Sequence, residues 1–600
     1  MNVKEKINAL RALMKQKNIS IYYVPNEDDH LSEEYTATRF QCKSWLSGFT
    51  GDYGCLIVTP KWAGLWTDGR YFTQAEDELK DSGIELMRLR QPGVPNPLDY
   101  LVEHTPAKGV LGFDGHVVSA ASALWLSEQL KAKKASLHMK DDLAGMVWGA
   151  ERPAMPQDSL YLLPQKYTGE SAAQRIARVR EKMAAAGADV LVITQLEDPC
   201  WMLNVRGNDI ECTPIVYAFA LVTKKSVYYY ADAAKVPARV LAAFKSAHVT
   251  LRPYDALAAD LAKWKNQVIW ADLRTLNADL YDHISVSNRI LNAPSPIGMF
   301  RAVKNAVEIE NLHRANIKDG VAMVKFLYWL KTSVGKIPMS EISAAEKLYA
   351  LRAEQKNYIE PSFPTIAGYK GNAAMMHYSA SEKSNAEIHD DGFLLVDSGG
   401  TYCEGTTDIT RTIACGKLSA KDKMYFTKVL KSNLRLASAK FLHGTTGHNL
   451  DILARGVIWD MDIDYQCGTG HGVGYVLSVH EGPHTIRWGN PRSGSSNAAL
   501  EAGMVVTDEP GVYLPHKLGI RTENDLLVVS GASNFYGQFL QFEPLTLCPI
   551  DLDAVDVRYL NEEDLAALNA YHKMVWQKLS PSLSGKEKAW LRKATRALTK

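Results

Sequence analysis

The sequence predicts a mixed α/β (α+β) protein of several domains, and three observations predict it. The chain has 600 residues, too many for one hydrophobic core, because cores stop growing at roughly 250–300 residues. Two proline-bearing seams interrupt it. Between the seams, helix-period and strand-type runs alternate, as they do in α/β units.

Composition narrows the class further. Hydrophobic residues make up 46% and charged residues 22%, ordinary globular usage that excludes disordered, collagenous and coiled-coil chains. Lys+Arg is 68 against Asp+Glu 67, a formal net charge of +1. So even a balance provides no long-range field for nucleic acid or an anionic membrane, and neither is expected as a partner. No apolar run approaches the ~18 residues of a membrane span; Ile215–Val222 is among the longest. Met1-Asn2-Val3-Lys4-Glu5-Lys6 leads into a charged amphipathic stretch, not an apolar signal region. The 8 cysteines are scattered without a CxxC pair, which suits a reducing compartment and not a disulfide framework. A soluble, cytoplasmic protein is expected.

The first seam is Glu151-Arg152-Pro153-Ala154-Met155-Pro156-Gln157-Asp158, followed by Pro164; the second is Asn292-Ala293-Pro294-Ser295-Pro296. Prolines push the preceding residue toward extended backbone and donate no hydrogen bond, as a linker requires. The expected domains are 1–156, 157–298 and 299–600.

The first two domains share one plan. Ile7, Leu10 and Met14 at helical spacing precede Asn18 and the strand Ile19–Val24; Ile176, Val179 and Met183 precede Gly187 and the strand Val190–Ile193. Asn and Gly at those places tolerate a left-handed helix end. Each strand leads to an acidic residue and a tryptophan (Trp45, Trp201), then to strand-like runs ending in Asp68 and Asp232. The parallel suggests duplication. The third domain opens with a helical pattern from about Ala306 to Leu330 and then turns strand-rich at Phe363–Ile366, Phe393–Val396, Thr407–Ile413, Met504–Thr507 and Leu526–Val529.

Two of those strand pairs carry carboxylates that ought to repel. Phe393–Asp397 runs into a glycine-bearing turn and returns through Asp408-Ile409-Thr410. With the turn centred between Tyr402 and Cys403, Asp397 is expected to face Asp408, and opposed like charges destabilise a sheet. Downstream, a loop centred on His516 sets Glu509 against Glu523. Two such pairs at the ends of buried strands call for compensating positive charge. Gly468-Thr469-Gly470-His471-Gly472-Val473-Gly474 is glycine-rich enough for backbone to approach closely around His471. Two Asp, two Glu and one His form an oxygen-dominated set that favours Mn²⁺, with Fe, Co²⁺ or Zn²⁺ open, over thiolate-selecting metals. Four anions suit two divalent cations, a common hydrolytic arrangement.

These five residues, in this order and setting, resemble the dinuclear metallopeptidases of the pita-bread fold, which include methionine aminopeptidase, prolidase and aminopeptidase P. The long three-domain, cytosolic-type aminopeptidase P family is the best match. Trp66-Thr67-Asp68-Gly69-Arg70-Tyr71-Phe72 is similar to its first domain, and Leu203-Asn204-Val205-Arg206-Gly207-Asn208-Asp209 to its second. Phe363-Pro364-Thr365-Ile366, Val479-His480-Glu481-Gly482-Pro483 and Phe542-Glu543-Pro544-Leu545-Thr546-Leu547 are similar to its catalytic domain and tail. The resemblance implies two creatinase-like N-terminal α/β domains before a pita-bread catalytic domain with a C-terminal tail. It implies that Asp408 and Glu523 bridge two metals, that Asp397 binds one, and that His471 and Glu509 bind the other. It also makes Glu509 the general base, sets His377 and His480 in the substrate site, and brings Arg521 near the metals. The implied reaction is removal of an N-terminal residue ahead of proline in short peptides, by a homodimer. Prolidase, which takes Xaa-Pro dipeptides, and a catalytically silent binding protein of the same fold are the alternatives. Cys467 departs from the pattern: it stands where the family commonly has a further histidine, four residues before His471.

Of the remaining features, Lys586–Lys600 is basic with Leu591, Ala594 and Leu598 at helical spacing, and is expected to be a solvated terminal helix packing one apolar stripe.

Overall fold

The computed structural model describes residues 1–32, 34–489 and 498–600. The chain forms two compact units, Met1–Leu163 with Glu170–Ile297, and Pro164–Gly169 with Gly298–Lys600.

The first unit contains one plan twice. Its opening helix, Val3–Gln16, starts at a capping box of Asn2 and Glu5 and buries Ile7, Leu10 and Met14. The second copy, Ala172–Ala185, starts at a capping box of Ser171 and Gln174 and buries Ile176, Val179 and Met183. Reciprocal bonds of this kind satisfy amide groups a helix start leaves bare. Asn18 (φ 56°) and Gly187 (φ 66°) both take the expected left-handed conformation past the helix end. The strands that follow, Ile21–Val24 and Val190–Ile193, lie inside two six-stranded sheets. Ile21–Val24 pairs antiparallel with Cys55–Val58, which pairs antiparallel with Ala63–Thr67, and Glu85–Arg88 lies parallel at that edge. On its other side Val110–Gly112 and Ser136–His138 are parallel. Val190–Ile193 repeats every relation with Phe219–Thr223, Val227–Tyr230, Val249–Arg252, Val268–Ala271 and Arg289–Asn292. Identical strand order and identical senses carry the duplication well beyond helix spacing.

The second unit is organised on the helix Ala306–Ser333, capped by Asn305 and burying Leu312, Val321, Val324, Leu327 and Leu330. A three-stranded antiparallel sheet has Phe393–Ser398 between Ile366–Tyr369 and Ile409–Ala414. A six-stranded sheet runs in the order Lys440–Leu442, Gly537–Pro544, Asn524–Asn534, Val505–Asp508, Gly470–Gly472 and Glu481–Ile486. The strand expected at Phe363–Ile366 begins only at Ile366; Pro364 has no amide hydrogen for a ladder. The terminal helix is Gly585–Ala594, with Leu591 fully buried. Leu598, beyond the helix end, packs on the same core while its amide donates to Asn569 Oδ1 at 2.9 Å. Among the described residues no helix is long and apolar enough to cross a membrane, and none of the cysteines forms a disulfide.

Candidate metal centre

Asp397 is the fifth residue of the strand Phe393–Ser398, in which every side chain is buried. Its register partner is Thr410, not Asp408. The hairpin turns one residue later than the sequence suggested: Tyr402 pairs with Gly405 around Cys403 and Glu404, and Gly405 takes φ 143°, backbone only glycine adopts without strain. That shift makes Asp408 a diagonal neighbour of Asp397, one place beyond the final pair Ser398 and Ile409. Diagonal positions are roughly 7–8 Å apart, against about 5 Å for a direct pair. The two carboxylates thus share a face without colliding, with Thr410 directly opposite Asp397 on that face.

The second pair follows the expected register. Asp508 opposes Asn524 on one side and Gly511 opposes Arg521 on the other, bracketing Glu509 and Glu523. Both glutamates are tied to the other elements of the site. The Glu523 amide donates to Thr410 O at 3.2 Å, and the Glu509 amide to Thr469 O at 2.8 Å.

His471 lies on Gly470–Gly472, where the glycines admit close backbone contact. A Cβ on Gly470 would sit 1.9 Å from Thr507 O, and one on Gly472 would sit 2.2 Å from Glu481 O. The His471 amide donates to Thr507 Oγ1 at 3.0 Å, and its Nδ1 lies 2.9 Å from Gly472 O. A carbonyl partner makes Nδ1 the protonated nitrogen and leaves the Nε2 lone pair for a metal. Nε2 is 3.5 Å from Asp408 Oδ2 and 3.6 Å from Glu509 Oε1. The His480 ring meets His471 edge-on, with centroids 4.2 Å apart.

Arg521 is buried and touches the centre from behind. Its Nη2 donates to Asp397 Oδ2, its Nε to Thr410 Oγ1 at 2.9 Å and its Nη1 to Tyr513 OH at 2.6 Å. The Thr410 hydroxyl in turn donates to Glu523 Oε2 at 2.6 Å. Asp397, Arg521, Thr410 and Glu523 therefore form one chain.

The electrostatics are those of anions crowded in a buried space. Burial, joined by repulsion from Asp408 and Glu509 and opposed by Arg521, pushes Asp397 up to about 6. Burial and the charges of Asp408, Asp397 and Glu509 push Glu523 well above the usual carboxylate range. Burial works against the His471 imidazolium, but hydrogen bonding to Asp408 and the charges of Glu509 and Asp408 prevail and raise it to about 9. Asp408, His471 and Glu523 offer ligand atoms within 4.8 Å of one another. Asp397 Oδ1 and Asp408 Oδ1 are buried without a hydrogen-bond partner. Orphaned buried oxygens, a convergent O/O/N donor set and mutually repelled carboxyls are what divalent cations satisfy. The residues fit the expected metals.

The remaining expected residues are placed as follows. His377 is half-buried on the segment between Ile366–Tyr369 and the strand carrying Asp397. Cys467 packs against the hydrophobic core of this unit, and its carbonyl accepts from Arg455 Nη2 at 2.8 Å. Sequence reasoning missed Thr410, Tyr513 and the buried Asp451–Arg455 pair. Arg455 binds Asp451, and Asp451 accepts from Thr469 Oγ1 at 2.6 Å, bracing the approach to His471. Strand alternation was the one available signal for Thr410, and i,i+4 spacing on the helix Gly447–Trp459 was the signal for Asp451 and Arg455; nothing local marks Tyr513.

Family models match the chain end to end. Residues 310–530 match metallopeptidase family M24 and residues 538–598 the C-terminal region of peptidase M24. Residues 6–140 and 151–308 each match the creatinase/prolidase N-terminal domain. A probable Xaa-Pro aminopeptidase P of Laccaria bicolor is 38% identical over 99% of this chain and 93% of its own length. The chain belongs to the aminopeptidase P family of M24 metallopeptidases. Aminopeptidase P1 of Arabidopsis thaliana is 34% identical over 98% of this chain and 99% of its own. The crystal structure of X-prolyl aminopeptidase from Caenorhabditis elegans, described as a cytosolic enzyme with a di-nuclear active site, superposes with a TM-score of 0.95. It is 31% identical and covers 100% of both chains. This chain has creatinase-type N-terminal domains ahead of an M24 pita-bread domain, and it shares its fold with that relative over the full length of both. The Xaa-Pro dipeptidase of Bacillus anthracis, 26% identical with a TM-score of 0.50, covers only 64% of this chain.

Proposed function

We propose that this chain is a metal-dependent aminopeptidase that hydrolyses the bond between an N-terminal residue and a following proline in short peptides. The observation that carries this reading is the convergence of Asp408, His471 and Glu523 within 4.8 Å, inside a frame that also contains Asp397 and Glu509. These five hold two divalent cations, Mn²⁺ being the best match to an oxygen-rich donor set. When bound, such cations supply Lewis-acid polarisation and acidify water, the two needs of amide hydrolysis.

The chain's own residues do the rest. Glu509 takes the proton of the attacking water and passes it to the departing proline nitrogen. His480, edge-on to His471, hydrogen-bonds the scissile carbonyl as negative charge develops on it. His377 contacts the proline side of the peptide. Arg521 is placed to hold Asp397 and, through Thr410, Glu523 in position. The bond before proline lacks an N–H, so a site that does not depend on that donor is the one able to process it.

The full-length family match favours an aminopeptidase over the shorter dipeptidases, and retention of all five ligands argues against a silent binding protein. Three domains (1–156, 157–298 and 299–600), a homodimer and a cytoplasmic setting complete the proposal; the Caenorhabditis relative is itself described as cytosolic. The test is hydrolysis of an Xaa-Pro-Pro peptide and of an Xaa-Pro dipeptide before and after chelation, with metal analysis. Release of the first residue from the tripeptide alone, lost on chelation and restored by Mn²⁺, is expected. Cleavage restricted to the dipeptide would establish a prolidase instead.

A further inference from the structure

Glu341 is fully buried in the first turn of the helix Glu341–Ala353. Four donors converge on its carboxylate. The Tyr369 amide lies 2.7 Å from Oε1 and the Ala386 amide 2.9 Å from Oε2. Between them in sequence, Asn372 Nδ2 reaches both oxygens at 3.0 and 3.1 Å, and the Tyr378 hydroxyl lies 2.8 Å from Oε2. Asn372 Nδ2 and Tyr378 OH also both reach Ser384 O, at 3.1 and 2.9 Å. The returning chain is paired to the helix start, with the Glu341 amide donating to Ala386 O at 3.1 Å and the Ile342 amide to Asn385 Oδ1 at 3.1 Å.

The excursion from Tyr369 to Ala386 is thus drawn together around one acceptor. His377 lies within it, next to Tyr378, and the buried Met376 and Tyr378 flank it while it keeps part of its own surface. Three of the four partners are N–H groups that can only donate, and the Tyr378 hydroxyl shares its one hydrogen between Oε2 and Ser384 O, so the position needs a group that accepts on both oxygens, as a carboxylate does. A glutamine would turn an N–H toward other N–H groups. From this geometry we propose that Glu341 is a positioning residue for substrate recognition: it sets the loop that presents His377 to the proline side of the peptide. The proposal rests on the role given to His377 above.

The test uses the full-length, metal-loaded protein as wild type, E341Q, H377A and the double variant, with an Xaa-Pro-Pro peptide. In E341Q, KM is expected to rise so that kcat/KM falls about tenfold, as loss of a charge-assisted hydrogen-bond set implies. Bound metal should stay at the wild-type ratio, and amide hydrogen exchange in 370–386 should accelerate. On the H377A background, E341Q should change kcat/KM by less than about twofold, because residues acting as a unit are not additive. Multiplying effects in the double variant, or an unchanged KM in E341Q, would overturn the proposal. H377A at wild-type rates would overturn it differently, by removing the role of His377 itself. Should E341Q fold poorly, E341D, which keeps the charge and shortens the reach, is expected to show the same KM rise and exchange signature; its absence counts against the proposal equally.

Discussion

Glu523→Gln should have opposite effects on stability with and without metal. Glu523 is 2% exposed and its carboxyl is held well above the usual range by burial and three neighbouring anions. With ligand atoms within 4.8 Å of each other, ionised Asp408 and Glu523 repel by about 3 kcal/mol at an effective dielectric of about 20. Proton uptake relieves part of that, so the neutral amide should stabilise the chelated protein by about 1–3 kcal/mol at pH 7. The amide oxygen still accepts from the Thr410 hydroxyl, so the local fold is kept. A carboxyl whose folded value is raised gives its full stability below its ordinary value and loses it as pH climbs. Glutamine removes that slope. Thermal melting in EDTA should therefore show the second unit of the variant unfolding a few degrees above wild type, by about 2–6 °C for a unit of this size. With Mn²⁺ the order should reverse, because the variant lacks a ligand, and turnover should vanish. A variant that melts below wild type in EDTA would refute the view that this carboxylate is held against repulsion.

Three further outcomes are expected. Asp408→Ala should reduce Xaa-Pro hydrolysis by more than about a thousandfold, since it removes a ligand, while circular dichroism stays native; substantial residual turnover would exclude Asp408 from the centre. Cys467→Ser should retain most turnover, because the loop is held there by the Cys467 carbonyl accepting from Arg455, a bond that serine keeps; steady-state kinetics decide it. His572 is buried, accepts from the Ile550 amide at 3.0 Å, and is pushed down to about 3 by burial and the charges of Arg411 and Arg596. A base depressed in this way keeps its stability above its ordinary value of 6.5 and loses it as pH falls. About 2 kcal/mol should be lost between pH 7.5 and pH 5, and His572→Gln should flatten that part of the urea-unfolding pH profile.

Much of this protein was legible without coordinates. The helical spacing of Ile7, Leu10 and Met14, and of Ile176, Val179 and Met183, predicted two helices that bury those side chains. Asn18 and Gly187 predicted their left-handed ends. These are local properties, set by periodicity and by which residues tolerate positive φ. The register of Glu509 and Glu523 was legible for the same reason, since the loop around His516 closes the hairpin symmetrically. Local information failed at the other hairpin. Whether the chain turned at Tyr402-Cys403 or one residue later depended on Gly405 fitting beside Leu312 of the long helix, where a Cβ would lie 2.6 Å from Leu312 Cδ2.

Sequence alone determined the fold class and the repeated α/β plan, and it singled out the five residues proposed to hold divalent cations. Tertiary structure decided what surrounds them: Thr410 on Glu523, Arg521 on Asp397, Arg455 under the histidine loop, and Glu341 at the base of the loop bearing His377. The physical reason is range. Helix ends and strand alternation are governed by neighbours along the chain, whereas a buried carboxylate finds its partners across more than a hundred residues, as Asp397 finds Arg521. No short-range pattern records such a pairing.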